Sequence, residues 1–212
     1  MADAAKPAVI YNASTSKYYV MSQGSAIETT ITHKATVADE WLHQLYSKYS
    51  GRHTVVGLDT EWMLRIFSPT MKAAILQLCV ENTCLILQLC HLNDDVPENL
   101  KKFLADPNFT FVGVQVKNDT KKLREYGLEC GNNVVDVLDV AKRDWPERFS
   151  LSGLKHLAKE LVGLEMRKNK KVTMSDWHVR DLSYEQIEYA CIDAYASYWI
   201  GHKLLVEDKL TS

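Results

Sequence analysis

Asp59 and Glu61, then Asp119, then Tyr189 and Asp193 follow one another along this 212-residue chain in an order that suggests metal-assisted chemistry. Hard divalent cations prefer anionic oxygen ligands, so several carboxylates gathered in one pocket are the expected way to hold them. Two such cations roughly 4 Å apart can activate a water and stabilise the leaving oxygen of an in-line displacement. Phosphodiester hydrolysis is one of the few reactions that needs this arrangement. A phenol next to the carboxylates can orient the attacking water by hydrogen bonding. Taken singly, each residue has a plainer explanation. Asp-x-Glu can be a solvated strand end, Asp119 an acid complementing a helix dipole, Tyr189 a packed aromatic and Asp193 a surface acid.

The elements that must position these groups are legible from periodicity. Thr54 to Glu61 begins as an apolar strand, and alternation with a period of two places Asp59 and Glu61 on one face at its end. Ala73 to Val80 and Cys84 to Leu89 read as a hairpin joined through Glu81, Asn82 and Thr83. Leu100 to Leu104 predicts a helix, Phe109 to Val114 a strand, Asn118 to Tyr126 a helix opening on Asp119, and Val134 to Val137 a short strand. From Val140 onward the period is helical, with breaks near Trp145-Pro146 and from Gly163 to Thr173. Tyr184 to Leu205 predicts one long helix, on which Tyr189 and Asp193, four apart, share a face. Upstream, Tyr18 to Met21 and Ile27 to Thr32 predict a hairpin about Gln23 to Ser25, followed by a helix from a Thr36 cap to about Lys48. Strands followed by alternating helices and strands imply an α/β fold with a mixed sheet. Residues 1–16 are expected to form a flexible, frayed N-terminus and 17–212 a single domain.

Composition narrows the class. Hydrophobic residues make up 46% and charged residues 25%, ordinary for a globular protein with a sizeable core. No apolar run approaches the roughly 20 residues that span a bilayer, and no hydrophobic signal core opens the chain. The expectation is a cytosolic or nuclear protein with no membrane partner. Five cysteines without a C-x-x-C pair argue against both a disulfide framework and a zinc knuckle. They are expected to be reduced and mostly buried. A net charge of -2 is a mild argument against a nucleic-acid partner. Setting the four proposed cation ligands aside, however, leaves the remainder slightly positive.

In context the motifs are more specific. Gly-Leu-Asp-Thr-Glu-Trp at 57–62, Val-Gly-Val-Gln-Val-Lys-Asn-Asp-Thr-Lys-Lys-Leu at 112–123 and Tyr-Ala-Cys-Ile-Asp-Ala at 189–194 resemble the three motifs of the DEDDy 3'-5' exonucleases, in particular the Werner-type domain. Ser150 to Leu154, Ser175-Asp176-Trp177, Leu182-Ser183 and Gln186 extend the resemblance, which spans about 38–206 and leaves the N-terminal hairpin as an addition. It implies a ribonuclease-H-like mixed central sheet flanked by helices. It further implies two Mg²⁺ or Mn²⁺ ions per site held by Asp59, Glu61, Asp119 and Asp193, with Tyr189 positioning the water. The related DEDDh branch carries a histidine where this chain has Glu188, so His178 is expected to be a surface or packing residue.

Several residues are expected to touch substrate. Relatives place an apolar wedge after the first motif, where Trp62 and Leu64 stand, although Trp62 also reads as core. Lys117, Asn118 and Lys121 surround Asp119. Arg167, Lys168, Lys170 and Lys171 belong to the densest basic run, in a predicted loop that could track phosphates. Trp145-Pro146 reads as a helix stop and core anchor. The implied activity is removal of nucleoside 5'-monophosphates from the 3' end of single-stranded RNA or DNA. RNA is favoured because the sequence shows no helicase or accessory domain. A DNA exonuclease acting on recessed 3' ends and a non-catalytic binding scaffold are the alternatives. Some short relatives assemble into rings, so the N-terminal hairpin is expected either to supply a homo-oligomer interface or, equally, to cover the domain's own sheet edge.

Overall fold

The computed structural model of the protein describes residues 8–92, 95–167 and 169–207. Eight strands form one mixed sheet: β1 (Val9–Asn12), β2 (Lys17–Ser22), β3 (Ser25–Thr32), β4 (Thr54–Trp62), β5 (Ala73–Val80), β6 (Thr83–Leu87), β7 (Phe109–Gly113) and β8 (Val134–Asp136). Their spatial order is β1-β2-β3-β6-β5-β4-β7-β8. The middle strands β6, β5 and β4 are an antiparallel meander, and parallel pairs join β3 to β6, β4 to β7 and β7 to β8. β5 is buried at every position, as expected of a central strand covered on both faces.

The main helices are α1 (Ala35–Tyr49), α2 (Glu98–Ala105), α3 (Val116–Leu123), α4 (Val137–Asp144), α5 (Pro146–Phe149), α6 (Leu154–Val162), α7 (Lys170–Thr173) and α8 (Tyr184–His202). α8 carries the densest packing: it crosses β4, β5, β6 and β7 and also touches α4 and α6. At the crossing with β4, a Cβ on Gly57 would sit 2.0 Å from the Ala194 carbonyl and 2.6 Å from the Tyr198 amide. Only glycine admits this approach. The sheet flanked by helices is the α/β, ribonuclease-H-like arrangement expected from the motifs. Among the described residues no helix is long and apolar enough to cross a membrane. All five cysteines are free thiols, with Cys79, Cys84 and Cys191 buried and Cys90 and Cys130 partly so.

Several local expectations are corrected. Val9–Asn12 lies within the stretch expected to fray but pairs along its length with β2, while residues 1–7 lie outside the described set. The hairpin of β2 and β3 does cover the domain's own sheet edge, because β3 pairs with β6 and closes that side of the meander. α1 begins one residue before Thr36, after Lys34, with no side-chain cap. The last long helix keeps α geometry to His202 and continues as a π-helical turn over Lys203–Glu207, so the expected end at Leu205 falls within it. Trp145 does end α4 and Pro146 opens α5, but Trp145 is 38% exposed and the buried anchor is Phe149. A polar run after the proline left Phe149 as the residue able to enter the core.

Candidate active site

The site forms where β4 runs out. Asp59 and Glu61 lie on the face that α8 covers, and a bulge follows Glu61. The Thr60 amide donates to Asp59 Oδ1 at 2.9 Å. The Thr60 side chain points to the other face, where its hydroxyl donates to Asp119 Oδ1 at 2.6 Å. Trp62 Nε1 in turn donates to that hydroxyl at 2.8 Å, which leaves the Thr60 proton for Asp119. Thr60 and Trp62 thus tie two of the acids, Asp59 and Asp119, to a single strand end.

Asp119 arrives by a sharp turn. Gln115, just before α3, holds a left-handed backbone at φ 58°, a strained conformation for a residue with a side chain. Gly113 allows the close pass, since a Cβ there would meet the Leu58 carbonyl at 2.6 Å. Asp119 falls in the first turn of α3 and is only 7% exposed.

Tyr189 and Asp193 come from α8, whose start is fixed by a capping box. The Ser183 hydroxyl accepts from the Gln186 amide, and the Gln186 side chain accepts from the Ser183 amide. The side-chain Nε2 of Gln186 donates to Ser175 Oγ and the Asp176 carbonyl, which explains its burial and locks the preceding loop onto the helix. Trp177, fully buried, packs its ring 6.1 Å from that of Tyr189.

The electrostatics show a charge deficit. Burial raises Asp59 well above the ordinary carboxylate range, and the charges of Asp119, Asp193 and Glu61 add to it. Burial, then Asp193 and Asp119, push Glu61 up to about 9. Asp193 is raised to about 7 by burial, opposed by a hydrogen bond from Tyr189. Burial raises Asp119 to about 6, although Thr60 and Trp62 favour its charged form. Burial and the neighbouring acids also raise Tyr189, so it keeps its proton at neutral pH. Among the described residues none of the four acids forms an ion pair with lysine, arginine or histidine. No three of these acids, nor any other three His, Cys, Asp or Glu among the described residues, are placed closely enough to hold a metal ion as they stand. The four acids form an open set of mutually repelling oxygen donors, a set that divalent cations would complement.

Two clefts meet at Tyr189 and Asp193. The larger, about 490 Å³, is walled by α6 through Lys155, His156 and Lys159 and closed by Met166 and Arg167. The smaller, about 150 Å³, is lined by Arg167, Asn169, Val172, Glu185 and Glu188. Of the four acids, Asp193 lines both clefts, whose other charged lining is Lys155, Lys159 and Arg167 in the larger and Arg167, Glu185 and Glu188 in the smaller.

Residues 16–207 match the 3'-5' exonuclease domain family. The chain belongs to that family. It is 31% identical over 160 residues to a 3'-5' exonuclease of Arabidopsis thaliana, covering 71% of this chain and 52% of the relative. It is 33% identical over 156 residues to the mouse bifunctional 3'-5' exonuclease/ATP-dependent helicase WRN, covering 71% of this chain and 11% of that protein. The chain spans about half the length of the Arabidopsis relative. Its fold is shared with Escherichia coli RNase D, with a TM-score of 0.66 at 21% identity over 86% of this chain and 46% of that one. It is also shared with Brucella melitensis NrnC, with a TM-score of 0.62 at 24% identity over 78% and 77%. The family match begins at residue 16, so the β2–β3 hairpin belongs to the exonuclease domain rather than lying outside it.

Within this exonuclease domain the residues expected to touch substrate divide. Arg167 lines both clefts. Lys170 and Lys171 do not line either cleft; they open α7, where Asn169 Oδ1 caps the Lys171 amide. Lys168 lies outside the described residues. Trp62 is half-buried, with its N–H committed to Thr60 and its ring 5.0 Å from Lys122 Nζ. The Leu64 carbonyl anchors the following turn by accepting from Phe67 and Ser68. Lys117, Asn118 and Lys121 are exposed on α3, with Lys117 3.8 Å from Asp139. His178 packs as expected, stacking on Phe67. Lys155, His156, Lys159 and Asn169 had no signal in sequence beyond the polar face of an amphipathic helix and a helix cap. Ser152 Oγ, 2.7 Å from His156 Nδ1, fixes that ring at the rim.

Proposed function

We propose that this domain is a two-metal DEDDy exonuclease that shortens single-stranded nucleic acid from its 3' end. The single observation that carries the reading is the buried set Asp59, Glu61, Asp119 and Asp193 with no cationic partner among the described residues, of which Asp193, with a protonated Tyr189, lines a cleft that also carries Lys155, Lys159 and Arg167. These four acids would hold two Mg²⁺ or Mn²⁺ ions, which when bound supply a reactive water and neutralise charge on the leaving 3'-oxygen. Tyr189 orients that water through its phenol, whose proton burial retains. The water oxygen forms a bond to phosphorus, the bond to the penultimate 3'-oxygen breaks, and a nucleoside 5'-monophosphate leaves. Lys155, Lys159 and Arg167 guide the backbone phosphates toward the acids. Trp62 and Leu64, which follow Glu61 in the chain, would supply the apolar wedge against the terminal base.

RNA is the favoured strand in this reading. Supporting it, Glu185, Glu188 and Asn169 line the small cleft beside Tyr189 and offer acceptors for a ribose 2'-hydroxyl. Matched 5'-labelled RNA and DNA strands, incubated with Mg²⁺, Mn²⁺ or EDTA, test both parts. Metal-dependent ladders descending from the 3' end, lost in Asp59→Ala and faster on RNA, are expected. Intact strands with every metal, despite retained binding, would move the domain to the scaffold class.

A further inference from the structure

One polar side chain interrupts the most deeply buried strand of the sheet. β5 reads Ala-Ala-Ile-Leu-Gln-Leu-Cys-Val, and Gln77 is 0% exposed in its middle. Both its Nε2 and its Oε1 are buried without any hydrogen-bond partner. An amide in that position carries its full desolvation penalty, and native structures leave few such groups unexplained.

Register says what it faces. Gln77 stands directly opposite Asp59 on β4 and opposite Ile86 on β6. Side chains paired in this way share a face, with Cβ atoms roughly 5 Å apart. Asp59 has the Thr60 amide as its donor at Oδ1, and Oδ2 receives no hydrogen bond among the described residues. An unpartnered donor and an under-satisfied carboxylate are therefore neighbours beneath α8.

We infer that Gln77 is a positioning residue for Asp59: its amide N–H holds the ionised carboxylate in its cation-binding rotamer, directly or through one buried water. The inference rests on the cation site proposed above and assigns it a residue outside the three motifs. Carboxylates that bind metal are usually fixed by hydrogen bonds of their own, and loss of such partners weakens metal affinity by roughly 10- to 100-fold. A neutral amide suits the task better than lysine, because it orients the acid without cancelling the negative charge the cations need. A packing role alone makes the opposite forecast, since an apolar side chain of the same length would fill the space without a desolvation penalty.

The test is Mn²⁺ binding by wild type and Gln77→Met without substrate, followed by the EPR signal of free Mn²⁺, together with Tm in EDTA. The inference expects an apparent Kd raised about 10-fold or more in the variant, with Tm unchanged or higher. Wild-type Mn²⁺ affinity in Gln77→Met overturns it. Gln77→Leu replaces that variant if it does not fold, and failure of both to fold assigns the amide to the core and also overturns the inference. Absence of Mn²⁺ binding by wild type would instead sink the underlying cation site, so the two failures are told apart.

Discussion

Acids at the end of β4 and acids on the rest of the surface are treated in opposite ways. Glu81 meets Lys48 at 2.6 Å, Glu160 meets Arg148 at 2.6 Å, and Glu28 meets Lys17. The lysine beside Glu81 and the arginine beside Glu160 lower the pKa of each carboxylate. Asp59, Glu61, Asp119 and Asp193 have no such partner among the described residues, and burial raises all four, with repulsion from the neighbouring site acids adding to it at Asp59 and Glu61. Surface pairs of the first kind contribute little to stability. The second arrangement costs stability and persists because the fold over-determines it, through Gly57 under α8, the capping box at Ser183 and the Thr60 relay. A site is recognised here less by its acids than by the counter-charge it lacks.

The largest expected effect removes the frame of the comparison. In Gly57→Ala the new methyl would collide with backbone rather than with a side chain that can move aside. Overpacking of that kind costs about 3 kcal/mol or more, read as a lower urea midpoint, and metal binding should fall with it.

Asp193→Asn sharpens the contrast by removing one repelling charge. A carboxyl held at about 7 in the fold but near 4 when unfolded stabilises the fold in its protonated form. That contribution is full below about pH 4, declines as pH rises, and is gone above about 7. Metal-free wild type should therefore lose stability against the asparagine variant across this window, by on the order of 1 to 3 kcal/mol at pH 8. Mn²⁺ should restore wild type and leave the variant nearly unchanged. Parallel Tm curves in EDTA would show that the charge deficit is not real.

Thr60→Val keeps the shape of the strand end while deleting the hydroxyl between Trp62 and Asp119. The expected cost is about 1 to 2 kcal/mol, since Trp62 loses its acceptor, with a larger fall in kcat than in substrate affinity. Lys48→Met, at a paired acid, marks the other pole. It should change stability by less than about 1 kcal/mol and leave Mn²⁺ affinity as in wild type.

How much of this could be read beforehand depends on how far each signal travels. Asp59 with Glu61 and Tyr189 with Asp193 are set by strand and helix periods, so their facing is local and the motifs in order point to the candidate site. The turn residues also acted locally: Gln23 and Gly24 take positive φ between β2 and β3, as Glu81 does between β5 and β6. Gln77 was hidden inside an apolar run, because its meaning comes only from its register with Asp59. Lys155, His156 and Lys159 were likewise invisible, since nothing within α6 says that these exposed residues border the cleft at Tyr189 and Asp193. The basic run at 166–171 stood out by density, yet only Arg167 of its described cations reaches the groove. Long cationic side chains are placed by tertiary packing, and their clustering in sequence carries little positional information.

The central claim is that the unpaired acids form a cation site, and equilibrium dialysis tests it most directly. Mn²⁺ bound per chain would be counted at pH 7.5 for wild type and for Asp59→Asn, with folding checked by circular dichroism. Binding that approaches two ions in wild type and falls to one or fewer in the folded variant is the predicted result. Equal binding by the two proteins, or none by wild type, would contradict the account.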